Sequence, residues 1–365
     1  MKILMQSLAT CLLFMGLALV QANPASADGI ELTSAGPIAF GPEGALLVSD
    51  PMAATIYAIE TGAAEGKASD VKVELENVRQ KIASMLGAKS AEVRINDLAI
   101  NPVNGTPYLS ITRGSGKDEA SMILMVDPST GKISEFDLAD AKHTKATLPN
   151  AAESKRTRRG NQRLQAITDM AFVDGSIYVA GLSNEEFASN LRKIPFPFKD
   201  TDMGTSIEIY HGAHGKFETR SPIRTFAALK TGEEDVELLA AYTCTPLVRI
   251  PVGDLKPESK VRGTTIAELG NRNRPLDMVI YNKDDHNYAL MANSSRGVMK
   301  IDLDTASTQE PIIERVGRSG VAGVPYETIK ELTGVMQLDG LGDSKAVILV
   351  RDKDKNEHLK TIDLP

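Results

Sequence analysis

A two-strand unit recurs along this chain, and it constrains the fold more than any other feature. The clearest copy runs from Ile167 to Ala180. A strand begins around Asp169, Asp174-Gly175 supplies a tight turn, and a second apolar strand follows through Ala180. An Asp-Gly pair between apolar runs is a strong hairpin signal. Five weaker copies share the form. They are Pro37–Phe40 with Ala45–Val48, Asn96–Ile100 with Pro107–Ile111, Pro222–Ala227 with Val236–Tyr242, Leu276–Ile280 with Tyr288–Met291, and Gly334–Leu338 with Ala346–Val350. Equivalent positions Ile38, Leu98, Met170, Ile223, Met278 and Met336 lie 53 to 72 residues apart. One such unit cannot bury its own apolar face, so repetition implies stacking of neighbours.

A third strand follows five of the pairs: Thr55–Ile59, Met122–Val126, Leu247–Ile250, Gly297–Ile301 and Leu359–Ile362. The expected fold class is therefore all-β: a β-propeller of six blades with short helical insertions, its blades arranged in sequence order. A β-sandwich or two smaller β domains would also use such strands, but would not need one unit repeated throughout. The ambiguous region from Pro195 to Phe226 leaves room for a seventh blade. A ring must close or leave an exposed edge, and the expected closing strand is Gly29-Ile30-Glu31-Leu32, added to the last blade.

The first 27 residues read as a cleavable export signal. Lys2 gives a positive start, Leu8–Val20 is apolar, and Ala25-Ser26-Ala27 is a small-residue cleavage site. The apolar run is short for a membrane span, and the expected compartment is the periplasm or exterior. A single propeller domain would then occupy 28–365. Loss of Lys2 takes the 41 basic residues to 40 against 48 acidic ones, a balance that argues against general nucleic-acid binding. Tryptophan is absent, so no stacking platform for sugars or bases stands out. Removal of Cys11 leaves Cys244 as the one cysteine, which excludes an intramolecular disulfide. No Cys-x-x-Cys-His is present, so covalent c-type haem is not expected.

Val71, Val73 and Leu75 alternate with charged residues, as in an outer strand with one face buried. A rim helix is expected over 78–86, with Asn77 as its cap, Gln80 three residues on, Val78, Ile82, Met85 and Leu86 on its apolar face, and Gly87 past its end. The stretch 140–163 reads as a basic loop insertion containing Lys155, Arg156, Arg158, Arg159 and Arg163, placed above one mouth of the channel. Ser183–Phe187 could begin another short helix. In Ile194-Pro195-Phe196-Pro197-Phe198 the prolines oppose a regular central strand, which suggests a plug or packing between blades.

Propeller geometry puts the first residues of the inner strands on the same face as the loops joining second and third strands. Asp97, Asp169 and Asp277 should therefore share a face with Asp50, Arg113, Asn184, Cys244, Asn293, Arg296 and Arg351, and with Asn273 and Arg274 from a nearby loop. Two readings of the aspartates compete. They can accept backbone N–H bonds at the strand starts, or they can form an oxygen-rich site for Ca²⁺. Cys244, with His211 or His214 from Tyr210-His211-Gly212-Ala213-His214-Gly215, could hold copper or another soft metal; those histidines converge in a turn but not on a strand. The plainer alternatives are a small buried thiol and an exposed glycine-rich turn. No Gly-x-Ser-x-Gly, His-Glu-x-x-His, P-loop or dinucleotide motif is present.

In blade pattern the chain resembles periplasmic β-propellers of the broad YVTN/NHL-like kind. In inferred blade count and acidic or amide loops it is also similar to six-bladed lactonases of the gluconolactonase and paraoxonase type, a resemblance that implies the Ca²⁺ channel site. The leading expectation is an exported binding or assembly module that presents its loop-rich face to another exported protein or a small ligand. The alternatives are a Ca²⁺-dependent lactonase- or esterase-like hydrolase, and a copper or redox accessory protein using Cys244.

Overall fold

The computed structural model describes residues 29–365 apart from 63–64, 159, 231–234, 245 and 318–319. The expected export signal, Cys11 and Arg159 lie outside the described residues. The fold is a six-bladed β-propeller, and all six repeated pairs form the two innermost strands of a blade. We number blades by the chain position of their inner strands: Ile38–Phe40, Val93–Ile100, Asp169–Val173, Ile223–Lys230, Pro275–Lys283 and Val335–Leu341. Each inner strand pairs antiparallel with the next in sequence. In blade 3 the hairpin closes through Asp174 and Gly175, at φ 43° and 73°, the left-handed backbone that a two-residue hairpin turn demands.

The ring does not follow sequence order. Its order is 1–3–4–5–6–2, read from the apolar clusters between neighbouring blades. Leu47 and Ile56 of blade 1 pack with Met170 and Ile177 of blade 3. Ala180 of blade 3 packs with Phe226 of blade 4, Leu239 of blade 4 with Met291 of blade 5, and Leu290 with Ile348 of blade 6. Leu349 of blade 6 meets Leu109 of blade 2, and Ile123 of blade 2 meets Val48 of blade 1. After Ile59 the chain leaves blade 1 and adds Glu74–Leu75 to the outside of blade 6. It then builds blade 2 and returns with His143–Thr147 to complete blade 1. The 60–142 segment is thus a blade inserted between the first and last. This crossing accounts for the long spacing between Leu98 and Met170.

The closing strand is therefore Glu74–Leu75, with Val73 and Leu75 buried, and not the N-terminal segment. That segment lies between blades 1 and 2: Ile30 N–H donates to Leu138 O, and Asp50 accepts from Thr33 N, Ser34 N and Ser34 Oγ. Helix α1 (Val78–Met85) forms where expected and buries Val78, Ile82 and Ala83 where blade 6 meets blade 2, while Met85, expected on that apolar face, is exposed. Its cap differs from expectation. Asn77 is left-handed at φ 54° and its side chain caps nothing. Gly87 at φ 61° closes the other end, with Ala88 N–H reaching Ala83 O, the wrapped C-terminus glycine favours.

Three other expectations are corrected. His143–Thr147, within the stretch read as a loop, is a strand because it pairs along the whole length of Thr55–Ile59 at the edge of blade 1 and buries His143 and Ala146 there. Ser183–Phe187 is a bend, not a helix; Ser183 bridges to Ala151. The strand Ser189–Pro195 includes the first proline, opposite Ser176; Phe196 and Phe198 then stack edge-on and join the cluster between blades 1 and 3, the packing between blades that the sequence suggests. The region around Pro195–Phe226 holds the outer strands of blade 3, Thr205–His211 and Lys216–Glu218, and no seventh blade.

Candidate binding site at the channel mouth

Inner strands of neighbouring blades do not hydrogen-bond to each other, so each leaves backbone donors facing the bore. Four aspartates satisfy them across blade junctions. Asp97 Oδ2 of blade 2 accepts from Ile38 N of blade 1 at 2.8 Å. Asp169 Oδ2 of blade 3 accepts from Phe226 N of blade 4 at 2.8 Å, and Asp277 Oδ2 of blade 5 accepts from Leu338 N of blade 6 at 2.8 Å. One step deeper, Asp339 Oδ2 of blade 6 accepts from Ile100 N of blade 2 at 2.7 Å. The other oxygen of Asp169, Asp277 and Asp339 takes the N–H of the next residue in its own strand. The positions matching Asp97 in the receiving blades are Pro37, Thr225 and Gln337, so carboxylate and recipient alternate around the ring.

These carboxylates line a bore of about 510 Å³ with Leu98, Met170, Phe226 and Met278. Enclosure by protein outweighs the amide hydrogen bonds and pushes Asp169 up to about 7 and Asp339 to about 6. Enclosure likewise holds Asp97 and Asp277 well above the usual carboxylate range, with repulsion from the other aspartates adding to it. The geometry is that of amide caps. Among the described residues, the aspartates do not form a three-ligand group converging on one point; the group that does is His211, His214 and Glu218.

Above the carboxylates, at the end of the ring where the inner strands begin, lies a second cavity of about 1140 Å³. Its wall comes from Ala35–Pro37, from Arg94, Asn96 and Glu119 of blade 2, from Gln162, Leu164 and Gln165, and from Arg220, Arg224, Thr243 and Arg274. The basic loop contributes a hairpin, Arg156–Thr157 with Gly160–Asn161, and so reaches this mouth. Four arginines face one acid, in a chain with 48 acidic and 41 basic residues. Arg94 leans on Glu119 at 3.8 Å. Arg224 is positioned by Thr243 Oγ1 and Gln165 Oε1. Arg220 and Arg274 are exposed and make no ion pair among the described residues.

The remaining expected site residues divide between this mouth and its periphery. Asn273 and Asn293 are buried and bonded to each other, Nδ2 of Asn273 donating to Oδ1 of Asn293 at 2.7 Å. They brace the loop that carries Arg274. Arg296 donates to Asn271 O and packs over Gly270, where any Cβ would strike its guanidinium. Arg113 donates to Leu86 O at the α1 end. Asn184 is exposed, its N–H bonded to Asn150 O. Cys244 is half-buried in a turn at φ 67°, its N–H donating to Asn273 O; it is not part of the histidine group.

His211 and His214 do converge, because Gly212–Gly215 form a turn: His214 N–H and Gly215 N–H both return to His211 O. Sequence reading missed Glu218, the third member, although His-x-x-His followed four residues on by Glu was there to see. It also missed Asp339, Arg94, Arg220 and Arg224, which come from separate blades with no shared motif.

No family model matches the chain, and no curated protein matches it. Solved structures with similar folds include the PQQ-bound form of an aldose sugar dehydrogenase from Streptomyces coelicolor, 13% identical, covering 93% of this chain and 96% of that one at a TM-score of 0.30. A streptogramin B lyase is 9% identical, covering 92% and 95% at 0.37. A glucose dehydrogenase is 9% identical, covering 92% and 98% at 0.36. At these identities and scores no activity transfers to this chain, and what the mouth does has to be argued from its own side chains.

Proposed function

We propose that the protein is an exported binding module that takes an acidic segment of another exported protein into the channel mouth. The observation that carries this reading is the four-to-one excess of arginine over acid around a single large cavity, against an acidic whole. Arginine suits the role because its planar fork pairs with carboxylates bidentately. The cavity, about 1140 Å³, exceeds the usual size of a small-ligand pocket. Leu164, 47% exposed, adds an apolar contact on the same wall. The aspartate ring below is structural in this reading: its bonds to backbone amides join neighbouring blades.

Export rests on the first 27 residues; no helix among the described residues is long and apolar enough to cross a membrane. The test is titration of a labelled glutamate-rich peptide of about ten residues. Binding should weaken as salt rises. Replacing Arg220 and Arg274 together by alanine should cost about fivefold, from roughly half a kilocalorie per mole for each exposed pair. Binding that ignores both salt and the double substitution would refute the reading.

A further inference from the structure

The turn at the outer edge of blade 3 assembles a second site, independent of the mouth reading. His211 ends the strand Thr205–His211, and Glu218 ends the paired strand Lys216–Glu218. Between them the glycines of Gly212-Ala213-His214-Gly215 let the chain reverse, with Gly215 at φ 67°. The reversal stacks the two imidazoles at 3.8 Å between ring centres. Glu218 then faces both Nδ1 atoms, at 3.0 Å from His211 and 2.7 Å from His214. All three ligand atoms lie within 4.8 Å of one another.

We propose that His211, His214 and Glu218 bind a divalent transition metal, Zn²⁺ or a close relative, through two imidazole nitrogens and one carboxylate, with a fourth position open on the His214 side. Zinc takes His nitrogen and carboxylate oxygen at about 2.0–2.2 Å, which separates ligand atoms by roughly 3.3 Å in a tetrahedron. The present spacings need only small adjustments to reach that. His214 is 47% exposed and Glu218 15%, so an ion can enter, while His211 at 2% is fixed by burial.

Two further observations point to a ligand here. His211 Nε2 is buried without a partner, and so is Oε2 of Glu268, whose Oε1 holds the turn through Ala213 N. A site for metal commonly needs such an outer carboxylate to take the second imidazole proton. Mixed nitrogen and oxygen ligands of this kind suit zinc, nickel and copper above magnesium or calcium.

The experiment uses the full chain, stripped with chelator, and titrates Zn²⁺ against a chromophoric competitor. Co²⁺ is titrated in parallel for its visible absorption. The expected result is one ion per chain, a tetrahedral Co²⁺ spectrum, at least tenfold weaker binding in His214→Ala and in Glu218→Gln, and unchanged binding in Cys244→Ser. His214 sits on an exposed turn, so its removal leaves the fold intact, and a thermal melt of each variant checks this. Absence of one-to-one binding, binding as tight as wild type in His214→Ala or Glu218→Gln, or loss of binding in Cys244→Ser would each overturn the proposal.

Discussion

Asp169→Asn separates the two jobs of the channel carboxylates, hydrogen bonding and charge. Asp169 accepts from Met170 N and Phe226 N, both at 2.8 Å, and thereby ties blade 3 to blade 4. Asparagine keeps one acceptor oxygen and turns a donor toward the other amide. One buried N–H loses its partner, at a cost of about 1–2 kcal/mol that does not depend on pH. The wild-type carboxyl adds a term that does. Enclosure raises it from 3.8 to about 7, so the folded chain holds this proton more tightly than the unfolded one. The stability this contributes is fully present below pH about 4 and is lost as pH rises through about 7. At about 1.4 kcal/mol per pKa unit the upper limit is on the order of 4 kcal/mol. The bore keeps one side of the carboxyl in reach of solvent, so about half that is expected. Melting temperatures of wild type and Asp169→Asn at pH 4.5, 6, 7 and 8.5 test this. The variant should melt well below wild type at pH 4.5, and the gap should close by several degrees at pH 8.5. A gap that stays constant, or widens with pH, refutes the assignment of a raised carboxyl to this position.

Other consequences can be checked with the same melts. Leu75→Ala should cost about 2–4 kcal/mol, because Leu75 is buried in the strand that closes blade 6; a loss below about 1 kcal/mol would mean the ring closes elsewhere. Gly181→Ala should fail to fold or lose most of its stability, because the new Cβ is driven into the Ala166 carbonyl, whereas Gly340→Ala meets nothing nearby and should be near neutral; equal behaviour of the two would contradict the packing at the blade 3 strand. Cys244→Gly should change stability by less than about 0.5 kcal/mol, while Cys244→Val should lose about 1–2 kcal/mol, because only glycine sits freely at φ 67°; the reverse order would show that the side chain packs and the backbone is unstrained.

The inner pairs were legible because the second strand of each is an apolar, buried run, and because Asp97, Asp169 and Asp277 mark the same register in three of them. Outer strands were harder. Glu74–Leu75 and Ile133–Glu135 are only two and three residues long, and a strand with one neighbour and one wet face needs little hydrophobicity. Ring order was hidden for a different reason. Nothing in a blade's own sequence says which blade it packs against, and here the contacts of Leu109 and Ile123 with blades 6 and 1 make that choice. The aspartates were read from sequence as amide caps or calcium ligands, and only coordinates show their oxygens taken by N–H groups of adjacent blades. The arginine mouth is spread over Arg94, Arg220, Arg224 and Arg274, which no local window joins.

The central claim is that charge at the mouth selects the partner, and a charge swap tests it most directly. Arg220→Glu with Arg274→Glu is compared with wild type for binding of matched glutamate-rich and lysine-rich peptides at one salt concentration. The account predicts that wild type prefers the acidic peptide and that the double variant reverses the preference. If both proteins bind the two peptides with the same order of affinity, the arginines at the mouth do not select the partner and the proposed function is wrong.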